Sequence, residues 1–218
     1  MAIINLDILY HDEYLVIINK PAKLLIHKSA IDKYETENAM TLLRNQLGQW
    51  VYPIHRLDKA TSGVLLFALN KDVARMLTKA FSDKKVVKKY LAIARGFTEK
   101  SGRIDYPLKE LQDKMTDQKA RKDKPAQEAI TLYKLINKAE LPFPVRPYST
   151  ARYSLLEISL LTGRQRQIRR HLKHIFHHLI GDVRYGDGQH NQLFREKFDC
   201  HRMLLHPTFR VHNQIFHD

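Results

Sequence analysis

Asp58 lies within His55-Arg56-Leu57-Asp58-Lys59-Ala60-Thr61-Ser62-Gly63, directly ahead of the apolar run Val64-Leu65-Leu66-Phe67-Ala68-Leu69. A carboxylate on a turn at the mouth of a buried strand can be desolvated and aimed, as a nucleophile or general base must be. A structural ion pair with Arg56 or Lys59 fits the same residue, since ion pairs also perturb carboxylates. Tyr90 sits in Lys88-Lys89-Tyr90-Leu91-Ala92-Ile93-Ala94-Arg95-Gly96. Behind two lysines, a strand tyrosine offers a stacking face beside phosphate-binding ammonium groups, and a phenol can relay a proton. An ordinary tyrosine packed in a sheet has the same local sequence. The third segment is Thr162-Gly163-Arg164-Gln165-Arg166-Gln167-Ile168-Arg169-Arg170-His171. At about 100° per helical residue, Arg169 flanks the apolar stripe of Ile168, Leu172 and Ile175. Arg166, Arg170 and Lys173 fall on the opposite side, suited to solvent or phosphate. Arg169 is placed to be half-buried, where a guanidinium demands a carboxylate partner.

Other chemistries fit less well. His171, His174, His177 and His178 approach helical spacing, but no carboxylate lies among them. Cys200 is the only cysteine, so neither a disulfide within the chain nor a cysteine-based zinc site can form. Gly181-Asp182 and Gly186-Asp187-Gly188 read as turns, and no Gly-rich phosphate loop occurs.

The elements that must position these residues follow from pattern. Strands are predicted at 3–10 and 14–19, a hairpin around His11-Asp12-Glu13, ended by Lys20-Pro21. A helix is predicted at 38–47 with Met40, Leu43 and Leu47 on one face, closed by Gly48. After the 64–69 strand, Asn70 caps a helix whose apolar positions are Val73, Met76, Leu77, Ala80 and Phe81. Strands follow at 88–95, 129–135 and 153–160, the last with Leu156, Ile158 and Leu160 alternating. A polar excursion occupies 112–125, and the prolines at 142, 144 and 147 exclude regular structure. Thr162 to Gln165 matches a capping box, opening a helix to about residue 177. No repeat or regular βαβ alternation occurs, so the fold class is α+β, one domain over 1–218.

Composition narrows the partners. The 218 residues carry 37 Lys and Arg against 23 Asp and Glu, for a net charge of +14, spread along the chain. Such a field draws polyanions to a folded surface, and nucleic acid is the partner it favours. An apolar content of 44% supports a real core. No apolar run approaches the roughly 18 residues of a membrane span, and the first ten residues lack a basic leader. A soluble cytoplasmic protein without a membrane partner is expected. No acidic patch or coiled coil points to an obligate protein partner, and a monomer is expected.

Together the three segments resemble the RluA-type pseudouridine synthase family. Residues 55–63 match its His-Arg-Leu-Asp-x-x-Thr-Ser-Gly motif throughout, and 88–96 resemble its second motif with the tyrosine in place. Residues 162–171 resemble its third, Thr-Gly-Arg-x-His-Gln-Ile-Arg-x-His, with Arg166 where the family usually has histidine. Asn19-Lys20-Pro21 and Gly181-Asp182 extend the likeness. The resemblance implies a largely antiparallel mixed sheet with flanking helices and a central active-site cleft. No N-terminal S4-type RNA-binding module is expected. Family members generally continue beyond the point matching Asp218, so a short C-terminus is expected too. Residues 113–124 and 147–153 are similar to segments of tRNA-modifying members. This implies a uridine on the acceptor side of tRNA (position 65 in tRNA numbering); a ribosomal RNA uridine, or both substrates, is the alternative. A non-catalytic RNA-binding protein is the alternative of a different class.

The resemblance implies Asp58-dependent isomerisation of uridine to pseudouridine: N1–C1′ cleavage, rotation of the base, and rejoining through C5. Nothing is consumed, so neither cofactor nor metal is expected. Tyr90 would stack on the flipped uracil, and Arg169 would pair with Asp58. Arg56 would fill the space the uridine leaves. Thr61, Ser62 and Gly63 would shape the turn. His55, Lys88, Lys89, Arg166 and Arg170 complete the expected substrate contacts.

Overall fold

The computed structural model describes residues 5–27, 37–83, 85–110 and 125–210, with the backbone alone for 208–210. They divide into two compact units, one running to Lys88 and resuming at Pro207, the other spanning Lys89–His206.

The first unit holds β1 (Asp7–His11), β2 (Leu15–Lys20), α1 (Ala39–Leu47), β3 (Tyr52–Pro53), β4 (Gly63–Ala68) and α2 (Lys71–Ser82). Its sheet has the order β1-β2-β4-β3, antiparallel throughout. The predicted hairpin is present. Its loop is held by Asp12, whose carboxylate accepts from the Tyr14 and Leu15 amides and the Tyr10 hydroxyl, each at 2.8 Å. The apolar run of β4 lacks alternation because both of its faces are covered. Leu65 and Phe67 pack with Val16, Ile18 and the α1 residues Ala39 and Leu43. Leu66 and Ala68 pack with Leu15 and the α2 residues Val73 and Leu77. Both helices start on asparagine caps: Asn38 accepts from the Thr41 amide (3.0 Å) and Asn70 from the Val73 amide (2.9 Å). Gly48, at φ +67°, closes α1. Met76, predicted on the apolar stripe of α2, is 46% exposed; Val73, Leu77 and Ala80 supply its buried side without it.

The second unit holds β5 from Lys89 onward (Val87–Arg95), β6 (Ser101–Asp105), β7 (Ile130–Leu141), β8 (Ala151–Leu160), α3 (Gln167–His174), α4 (Gly188–Phe198) and the start of β9 (Leu205–Arg210). These strands lie in the order β6-β7-β8-β5-β9. The described pairings of β6 with β7, β7 with β8, and β8 with β5 are antiparallel. The α+β class and largely antiparallel pairing stand as expected, with the described strands divided over two sheets rather than one. β7 continues past its predicted end, through an irregularity between Leu135 and Asn137, to Leu141. On β8, Leu156 and Ile158 are fully buried and Leu160 partly so. The polar excursion at 112–125 lies outside the described residues, Pro125 excepted.

Two expectations about α3 need correction. No capping box forms. Arg166 is the N-cap, at φ +54°, without a side-chain cap bond. The Thr162 hydroxyl instead donates to Gln167 Oε1 (2.8 Å), which also accepts the Arg164 amide, while Gln167 Nε2 donates to the Ile130 carbonyl and Thr131 Oγ1. A buried amide with every polar atom satisfied outcompetes the cap. The helix also ends at His174, because Phe176 turns left-handed and the His177 amide bonds back to the Leu172 carbonyl at 2.9 Å. No helix among the described residues is long and apolar enough to cross a membrane.

Gly181, at φ +77°, follows the buried Leu179 and Ile180, and its amide donates to Asn191 Oδ1 at 2.6 Å. A Cβ there would collide with the Arg202 carbonyl oxygen. Gly181→Ala should therefore lower the unfolding free energy by about 2–3 kcal/mol, read from the shift of the urea midpoint at unchanged slope.

Candidate active site

In the first unit the Asp58 loop hangs from the junction of β2 and β4, where Lys20 pairs with Gly63. Asp58 is half-buried, and its carbonyl accepts the Thr61 amide at 3.0 Å, closing the turn into Thr61 and Ser62, both buried. Beneath it lies Lys20, 0% exposed. Its ammonium donates to the carbonyls of Pro21 (2.7 Å), Leu24 (2.9 Å) and Lys59 (3.4 Å). The Lys59 carbonyl also accepts the Lys23 amide at 2.8 Å. One buried cation thus gathers the 21–24 turn and the residue next to Asp58. Burial pushes the Lys20 pKa down to about 8, against the nearby Asp58 carboxylate, which raises it.

His55 occupies the other side of this loop. Its Nε2 accepts the Leu66 amide at 3.2 Å, which puts the imidazole proton on Nδ1. The ring stacks on Phe81, 5.2 Å between centroids and 10° from parallel, and the Lys88 ammonium lies 5.0 Å from the Phe81 ring centre. Burial first, then the Lys88 charge, lowers the His55 pKa to about 4, opposed by a hydrogen bond with the Arg56 backbone. His55 is therefore neutral at pH 7 and anchors the loop to β4. Burial also lowers the Lys88 pKa. Arg56 is exposed.

In the second unit Tyr90 is half-buried on β5, opposite Ile158, and the Lys89 ammonium meets Glu157 at 2.9 Å. Arg169 is 8% exposed, more deeply buried than its helical position alone suggested. It grips Asp182 with two bonds, Nε to Oδ2 at 2.7 Å and Nη2 to Oδ1 at 2.9 Å. Oδ1 also accepts the Arg184 and Tyr185 amides. Burial alone would raise the Asp182 pKa; the Arg169 hydrogen bond and the two amides outweigh it and hold the carboxyl below its ordinary range. Arg170 is half-buried and donates to the Lys109 carbonyl at 2.9 Å; Arg166 is half-buried at the helix start.

The histidines of this region hold backbone or rings. A carbonyl can only accept, so His171 Nε2 donates to Tyr106, His177 Nδ1 to Arg95 and His178 Nδ1 to Tyr185. His174 stacks on Tyr106 at 3.7 Å.

Of the predicted residues, His55, Arg56, Asp58, Thr61, Ser62 and Lys88 fall in the first unit. Lys89, Tyr90, Arg166, Arg169 and Arg170 fall in the second. Sequence reasoning gave no role to the Lys20 ammonium or the Gln167 amide, and it expected Asp58 as the carboxylate for Arg169 where the structure shows the fork with Asp182. For Lys20 the available signal was a lysine closing an apolar strand before proline. For Asp182 it was a carboxylate just after the left-handed Gly181.

A family model described as RNA pseudouridylate synthase matches residues 14–174. The chain belongs to the RNA pseudouridylate synthase family. It is 50% identical over 208 residues to tRNA pseudouridine synthase C of Vibrio parahaemolyticus, covering 95% of this chain and 85% of that protein. It is 52% identical over 202 residues to tRNA pseudouridine synthase C of Haemophilus ducreyi, covering 93% and 83%. In fold it is similar to human RNA pseudouridylate synthase domain containing 4, with a TM-score of 0.67 and 27% identity over 92% of this chain and 81% of that one. Human RNA pseudouridylate synthase domain containing 1 matches with a TM-score of 0.74 and 24% identity, over 97% and 80%. As a pseudouridine synthase the chain is an isomerase acting on RNA. The matched residues include Asp58, Tyr90 and Arg169, and end short of Asp182.

Two stability predictions follow from the buried charges of this synthase. Arg169→Leu should cost roughly 3–5 kcal/mol, because Asp182 stays buried without its cation. Adding Asp182→Asn should recover part of that loss. Urea unfolding measures both, and single variants as stable as wild type would refute the pairing. Lys20 gives a pH dependence. The unfolded chain keeps this proton to about pH 10.4, whereas the folded chain releases it near 8. Between those values the unfolded state binds more protons, so stability rises with pH. Wild type should gain on the order of 2 kcal/mol over Lys20→Met between about pH 8 and 10. A constant difference would refute the burial of a charged Lys20.

Proposed function

We propose that this protein converts a uridine of tRNA to pseudouridine, on the acceptor side at position 65 (tRNA numbering), with Asp58 as the catalytic carboxylate. The observation that carries the tRNA reading is the 50% identity, over 95% of the chain, to a relative named for tRNA. Asp58 supports the catalytic reading by its place: half-buried, on a closed turn, beside a buried ammonium.

The reaction breaks N1–C1′ and forms C5–C1′; the C5 proton is lost and N1 regains one, so nothing is consumed. Asp58 acts at the sugar, as nucleophile on C1′ or as base at C2′. The uridine must first leave its stack, which costs a few kcal/mol. Arg56, exposed beside Asp58 in the chain, stacks on the neighbouring bases left behind. Tyr90 stacks on the uracil and assists loss of the C5 proton. Arg169 is the buried cation of the catalytic set. Lys88, Lys89, Arg166 and Arg170 take phosphates, and Arg166 in place of the family's histidine alters those contacts alone. The whole chain acts as one catalytic domain, a monomer in the cytoplasm.

Asp58→Asn should lose more than about 1,000-fold in turnover while still retarding tRNA in a gel shift. Chemical mapping of pseudouridine in tRNA and ribosomal RNA, from cells with and without the gene, should lose a single tRNA site. Loss confined to ribosomal RNA would overturn the tRNA assignment.

A further inference from the structure

Phe176 combines two costs. It sits just past α3 at φ +59°, a left-handed geometry that strains a residue carrying a bulky side chain. Its ring is 81% exposed, so burial does not offset that strain. Strain of this kind persists where the surrounding structure enforces it, often at binding sites. Here the Phe176 amide is tied to the Lys173 carbonyl (3.0 Å) and the His177 amide to Leu172 (2.9 Å), which holds the backbone of Phe176 in place. Phe176 lies outside the residues that the family model matches, 14–174.

The segment that follows α3 carries cations and a second aromatic ring. Around the Tyr185 ring, the Lys173 ammonium stands 5.9 Å from the centroid, the Arg184 guanidinium 5.7 Å and the buried Arg169 guanidinium 5.2 Å. Tyr185 is joined to the histidines after Phe176 through the His178 bond to its carbonyl, 2.7 Å. Lys173 and Arg184 are exposed. Asp182, the carboxylate of this loop, is 1% exposed and already holds Arg169. Lys173, Phe176 and Arg184 thus offer two cations and an aromatic ring to solvent, beside the exposed Val183; cations with a ring suit a polyanion whose bases offer π faces.

We propose that Phe176 is a stacking platform for a nucleobase of the substrate RNA, with Lys173 and Arg184 taking the flanking phosphates. The inference rests on the tRNA reading above and adds a contact outside its catalytic set. The left-handed backbone makes it separable from a structural role. Glycine adopts that geometry without strain, so Phe176→Gly removes the ring and relieves the backbone together.

With transcribed tRNA as substrate, Phe176→Gly should raise KM about tenfold, the loss falling on KM rather than kcat, while its melting temperature stays level or rises. Phe176→Ala should match that KM without the thermal gain, and Phe176→Trp should restore it. Lys173→Ala should reduce the slope of log Kd against log salt by about one. A Phe176→Gly protein that melts several degrees lower with unchanged KM would overturn the proposal, because the ring would then serve the fold. An unchanged salt slope for Lys173→Ala would remove the phosphate contact. Wild-type protein inactive on tRNA would instead overturn the substrate reading, and this site with it.

Discussion

Arg169 and Asp182 meet inside the second unit in a two-bond fork, and the loops around them depend on that contact. Burying two opposite charges carries a desolvation penalty of several kcal/mol per ion, offset only when geometry is good and the remaining lone pairs are satisfied. Asp182 meets that condition, with the Arg184 and Tyr185 amides completing its oxygens. Its carbonyl accepts from Asn191 Nδ2 and the Gly186 amide, and Asn191 in turn accepts the Gly181 amide. The pair therefore locks α3 to the 181–186 loop and that loop to α4. At the start of α4, Asp187 accepts two helix amides and pairs with Arg95 on β5 at 2.7 Å.

Lys20 does comparable work in the first unit with different chemistry. Three backbone carbonyls hold its ammonium. Burial lowers the Lys20 pKa, and the nearby Asp58 carboxylate opposes that shift. The neutral, stacked His55 holds the opposite flank of the same loop. Asp58 is thus carried by a rigid turn whose supports come from β2, β4 and α2. Such support suits the catalytic role proposed for Asp58.

Much of this was legible in the sequence where local chemistry and tertiary packing agree. The asparagine cap of α2, the hairpin loop around Asp12 and the buried β4 all announced themselves. So did the three motifs, since each joins an unusual residue to a fixed neighbourhood. What stayed hidden depends on contacts distant in sequence. Gln167 reaches Ile130 and Thr131, Lys20 reaches Lys59, and no periodicity reports either. β6 is short and polar, and α4 opens Gly-Gln-His-Asn, so neither shows a clear apolar period. The early end of α3 was invisible because phenylalanine stands where glycine would have signalled a left-handed stop.

In the proposed reaction the Asp58 carboxylate carries the isomerisation of a tRNA uridine. Tritium release from tRNA labelled at uridine C5 tests it most directly, since only C5 attachment frees that hydrogen. The wild-type protein should release one equivalent per tRNA, and Asp58→Asn none at equal tRNA occupancy. Release by Asp58→Asn at the wild-type rate would contradict it.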